Sequence, residues 1–176
     1  MNQNIWLEYG KILLPALAVL AGTYLAIKAF LDRETDKQKL ELKLLNHKII
    51  TPLRLQAYER LTLFLERIKP ESLLPRVYSP QMTVPELHKA LLQTIRSEFE
   101  HNLSQQIYVS DEAWEMVKIA KESILKLINT AAGSKKATKN TQEYSKTIIE
   151  AYASVENSPI DVAIEKLKEE IHTQLL

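Results

Sequence analysis

Residues 12–27 read ILLPALAVLAGTYLAI, sixteen positions without a charge, bounded by Lys11 and Lys28. How this run is read decides the fold, because the chain beyond it is a series of amphipathic helical segments. As a helix it rises roughly 24 Å, less than the roughly 30 Å hydrocarbon core of a bilayer. The flanks offset the shortfall. Lys11 and Lys28 can carry their charges outward, Ala29, Phe30 and Leu31 prolong the apolar surface, and Trp6 and Tyr9 suit the headgroup level. Residues 1–31 are therefore expected to form a short outer N-terminus and a single transmembrane helix, with Trp6, Tyr9, Lys11 and Lys28 at the membrane interface. A buried core helix would show the same apolar density. The small residues of ALA and VLAG resemble a signal-peptide cleavage site, but no basic residue precedes Lys11 and the apolar run continues past them.

Basic residues are unequally placed about this run. Lys11 stands alone on one side, whereas Lys28, Arg33, Lys37, Lys39, Lys43 and Lys48 lie on the other. The positive-inside rule then predicts a single-pass protein with its N-terminus outside and its C-terminal domain in the cytoplasm. Ala18, Gly22 and Ala26 recur every four residues, and such a stripe lets helices approach closely in lipid, which makes it a candidate oligomerisation face.

The remaining chain is long enough for one domain. Its composition is rich in Leu, Ala, Glu, Lys and Ile and contains three glycines and no cysteine, which excludes disulfides and thiolate-ligated metal. A formal net charge of +1 gives no general case for nucleic acid as a partner. Residues 32–51, with neither Gly nor Pro before Pro52, continue the first helix as a stalk. Thr51-Pro52 reads as the start of a second helix ending near Ile68, with Leu53, Ala57, Leu61, Phe64, Leu65 and Ile68 on one broad apolar face. Arg54 falls inside that face and suggests a buried polar contact.

Pro70, Pro75 and Pro80 mark a loop whose Leu73, Leu74, Val77 and Tyr78 should pack down on the bundle. Thr83 and Glu86 fit a capping box for a third helix, on whose apolar face His88 and Asn102 also lie. Ser110 caps a fourth helix ended by Gly133, and GSKKATKN comes next as a basic loop. A fifth helix covers about 141–155, and Ser158-Pro159 opens a sixth with the stripe Ile160, Ile164, Leu167, Ile171 and Leu175. The expected fold is all-α, with a transmembrane helix, a stalk, and a bundle of about five helices over residues 52–176.

Two Glu-x-x-His pairs, Glu98/His101 and Glu169/His172, have the spacing used by carboxylate-bridged metal sites in helical bundles. The second pair faces away from its helix's apolar stripe, so only Glu98 and His101 stand as metal candidates. There is no phosphate loop, zinc-protease motif or nucleophile elbow. His88 reads as a hydrogen-bonded core residue, and Lys135, Lys136 and Lys139 as a solvated loop without interleaved aromatics. No cofactor is implied.

The stretch LRLQAYERLTLFLERIKP, Leu53 to Pro70, with the apolar run before it and EFEHNLSQQIYVS and AWEMVKIAKE after it, resembles an uncharacterised family of Bacteroidota proteins. That resemblance implies one N-terminal transmembrane helix, a helical domain and a bacterial inner (plasma) membrane location, and it implies no activity or site residues. The favoured expectation is a membrane-anchored, non-enzymatic interaction or scaffold module that binds a protein partner or itself. The alternative is a helical-bundle enzyme or metal protein using Glu98 and His101.

Overall fold

Helix-forming residues dominate from the start, and the chain is helical almost throughout. A computed structural model describes residues 3–134 and 140–174. Its elements are α1 (Gln3–Ile68), α2 (Pro70–Val77), α3 (Val84–Glu100), a 3₁₀ turn (Leu103–Ile107), α4 (Asp111–Ala132), α5 (Thr141–Ala153) and α6 (Pro159–Gln174). Among the described residues there is no strand. The chain divides into two units, Met1–Ile49 and Ile50–Leu176.

The first unit is α1 up to Ile49. Among the described residues no helix is long and apolar enough to cross a membrane. This overturns the expected transmembrane helix in residues 1–31, and with it the single-pass inner-membrane location with an outer N-terminus and a cytoplasmic domain. The physical reason lies in the length of the run. Its sixteen uncharged residues supply roughly 24 Å where roughly 30 Å is needed, and Asp32, Arg33 and Glu34 come soon after Lys28. Lys11 and Lys28 are exposed, as are the described residues from Val19 to Lys39. The side chains of Trp6, Tyr9 and Ala18 lie outside the described residues. So do Lys135, Lys136 and Lys139.

In the second unit the helix does not restart at Thr51-Pro52, since α1 passes through both residues. Proline lacks the N–H that would bond to the carbonyl four residues back, that of Lys48. Residues Lys48, Ile49 and Ile50 are exposed, where water can satisfy that carbonyl. The proline segment also differs from the loop expected of it. Pro70 takes the first position of α2, where its missing N–H costs nothing, and Leu73 N–H reaches back to Lys69 O at 2.8 Å. Leu73 and Leu74 enter the core, while Val77 and Tyr78 pack partly against it.

The core joins Tyr58, Leu61, Phe64, Leu65 and Ile68 of α1 to Leu87, Leu91 and Ile95 of α3, Val117, Ala120, Ile124 and Ile128 of α4, Tyr144 and Ile148 of α5, and Ile160, Ile164 and Leu167 of α6. Helix α4 is in contact with α3, α5 and α6, and α2 lies against α3 and α5. Start signals in the sequence are realised locally. Glu86 accepts the Thr83 N–H at 2.8 Å, which holds its carboxyl below the usual glutamate range. Ser110 Oγ accepts Ala113 N–H at 3.0 Å, and Asn140 Oδ1 accepts Glu143 N–H at 2.8 Å.

Candidate functional site

Arg54, the cation on an otherwise apolar face, is half-buried and bonds across the bundle. Its Nε donates to Tyr108 O at 3.1 Å and its Nη2 to Tyr58 Oη at 3.3 Å. Tyr58 Oη in turn donates to Glu170 Oε2 at 2.9 Å, and Ser110 Oγ donates to Glu170 Oε1. Glu170 is only 7% exposed. One carboxylate on α6 therefore gathers a tyrosine from α1 and the serine that caps α4, and a guanidinium bonds to that tyrosine. Such a chain of donors polarises in one direction, which strengthens each bond in it. Burial raises the Tyr58 pKa, and its hydrogen bond to Glu170 adds to the rise. Sequence spacing singles out Glu169 and misses its neighbour Glu170. The available signal is that Glu170 stands seven residues after Ala163 and three after Leu167, at the border of the apolar stripe.

Glu98 does not meet Arg54. Its Oε1 lies 2.9 Å from Arg67 Nη2 and 3.2 Å from Arg76 Nη1, so α1 and α2 both send a guanidinium to one carboxylate on α3. His101 is exposed, and its Nδ1 is 2.6 Å from Ser97 O, an oxygen that can only accept. Glu98 is thus engaged by cations and His101 by its own helix end. Among the described residues no group of three or more His, Cys, Asp or Glu side chains is placed to hold a metal ion. Glu169 and His172 are both exposed on α6 or at its edge.

His88 and Asn102 are half-buried and bonded. Tyr144 Oη lies 2.7 Å from His88 Nδ1 and 3.2 Å from Ile128 O, so the phenol ties α5 to α3 and α4. Burial drives the Tyr144 pKa strongly upward. Asn102 Nδ2 donates to Glu98 O at 2.7 Å and closes the end of α3. These two side chains join helices and finish them, and neither opens into a reactive cluster.

The least satisfied surface is in the first unit. Leu13, Leu17, Val19, Leu20, Tyr24, Leu25, Ile27, Phe30 and Leu31 are each between 55% and 69% exposed. A Cβ added at Gly22 would meet nothing within 4 Å.

Among protein families, a model described as a family of unknown function (DUF7935) matches residues 4–174. The chain belongs to that family. No curated protein matches this DUF7935 chain, and no solved structure does.

Proposed function

We propose that this member of DUF7935 is a non-enzymatic interaction module that assembles with a second copy of itself through the apolar part of α1. One observation supports the reading. Leu13, Leu17, Leu20, Tyr24, Ile27 and Leu31 succeed one another at spacings of four, three, four, three and four, and each is more than half exposed. Alternating steps of four and three are the heptad pattern that keeps one seam of a helix facing its partner in a coiled coil. Contiguous exposed apolar surface of this kind is unfavourable in water and marks an interaction surface.

Magnitudes favour association. Full burial of an aliphatic or aromatic side chain is worth about 1.5–3 kcal/mol, and a dimer would bring twelve from the two seams. The loss of translational and rotational freedom opposes this by about 4–15 kcal/mol. At 100° per residue the Ala18, Gly22 and Ala26 stripe lies on the opposite side of the helix from this seam. The large side chains, with more area to bury, are therefore assigned the contact. The reading also takes the chain as a Bacteroidota protein, on the resemblance carried by Leu53 to Pro70.

Sedimentation of the full chain over a wide concentration range tests the proposal. The expected result is a dimer or higher assembly that becomes a monomer when Leu20→Glu and Ile27→Glu are combined. Gly22→Leu, on the opposite face and in open space, should leave the assembly intact. A monomeric parent chain, or an assembly indifferent to the paired glutamates, would remove the reading.

A further inference from the structure

In the second unit a groove of about 610 Å³ lies between α1 and α3, and its lining combines three features. Arg60 and Arg67, seven residues apart, share one side of α1 and stand roughly 10 Å from each other along the axis. Leu63, which is exposed, lies between them and gives that wall an apolar middle. Gln93 and Ser97 of α3 face them with groups able to donate hydrogen bonds.

The charge is unbalanced. Arg67 and Arg76 share the single carboxylate of Glu98, both on Oε1, at 2.9 and 3.2 Å. Arg60 is exposed and makes no ion pair among the described residues. Arg60 and Arg67 line the groove against the one lining carboxylate of Glu98, which leaves it cationic. Guanidinium presents a planar fork of donors that matches the oxygens of a phosphate or carboxylate. A concave volume in this range, with an apolar wall and a few converging polar groups, has the character of a small-molecule site.

We propose that the α1–α3 groove binds a small organic anion, a phosphate or carboxylate joined to an apolar body. Arg60 and Arg67 take the oxyanion, and the exposed Leu63 takes the apolar part. Glu98 holds Arg67 and Arg76 in place and at the same time opposes the ligand's charge.

Calorimetric titration of the full chain with phenyl phosphate, benzoate, inorganic phosphate and benzyl alcohol tests this at low ionic strength. Phenyl phosphate or benzoate should bind more tightly than inorganic phosphate and far more tightly than neutral benzyl alcohol. Whichever of the first two binds better identifies the oxyanion. Arg60→Ala, which removes an exposed side chain and leaves the fold intact, should weaken binding at least fivefold, and Glu98→Gln should tighten it at least threefold. Raising the salt to about 0.5 M should lower the affinity several-fold, because the contact is exposed and screened. Lys146→Ala, on α5 and outside this groove, should change nothing. Failure of both aromatic anions to bind at millimolar concentration, equal binding of benzyl alcohol, or unchanged affinity in Arg60→Ala would each overturn the proposal.

Discussion

Glu170 shows what a single buried charge does in this protein. A carboxylate taken from water is tolerated only where donors replace its hydration, and here Tyr58 Oη and Ser110 Oγ do so. Glu170→Ala would leave the hydroxyls of Tyr58 and Ser110 without the acceptor they converge on. We expect a loss of about 3 kcal/mol in urea unfolding, and less than half of that for Glu170→Gln, which keeps an accepting oxygen. Parent-like stability in Glu170→Ala would show that the network contributes nothing. The tyrosines give a pH prediction. Tyr58, Tyr144 and Tyr152 all have raised pKa values, chiefly because burial disfavours the phenolate. A folded pKa above the unfolded value means that the stabilisation is complete below about pH 10 and is lost as pH rises through the folded values. Stability should therefore fall steeply above about pH 10. Ultraviolet titration should show these phenols ionising together with unfolding, and ordinary titration in a still-folded chain would contradict the assignment.

At the scale of elements, local signals and tertiary contacts carry different weight. Helices α3 to α6 begin where the sequence says they should, because Thr83, Ser110, Asn140 and Ser158-Pro159 satisfy or omit the orphan N–H groups of a first turn. Helix α2 is not legible in this way. Three prolines within eleven residues argue for a loop, yet Pro70 occupies a helix start, and Leu73 and Leu74 gain a place in the core by completing two turns. Burial outweighs a weak local preference. Leu73→Ala should accordingly cost about 2–5 kcal/mol in chemical denaturation, the range of a fully packed leucine. A cost below about 1 kcal/mol would mean that α2 is a surface loop after all. Pro52 is the reverse case. Its reading as a helix start uses a true preference, but nothing in the exposed residues around it requires the preceding helix to stop.

For the whole molecule, the division between Ile49 and Ile50 has an energetic counterpart. Every buried apolar residue among those described, from Ala57 to Leu167, belongs to the second unit, which therefore closes its own core. A fragment comprising residues 50–176 should unfold in one cooperative transition with a urea midpoint matching the core transition of the full chain. A fragment without a cooperative transition would show that the first unit is needed for folding. The first unit buries no described large side chain, and the sedimentation experiment reads whether the proposed association covers it.

The sequence by itself determined the helical class, the positions of α3 to α6 and most of the core, because each rests on capping chemistry or on a 3.6-residue apolar period that neighbouring residues set. It also showed that residues 12–27 form one uncharged apolar run. The transmembrane expectation built on them failed on a run too short for a bilayer. Only the tertiary structure decided the partners of the polar side chains. Arg54 joined Tyr58, while Glu98 was shared by Arg67 and Arg76, and Glu170 rather than Glu169 turned inward. Those pairings depend on how helices pack across tens of residues of separation, a distance over which sequence spacing carries no geometric information.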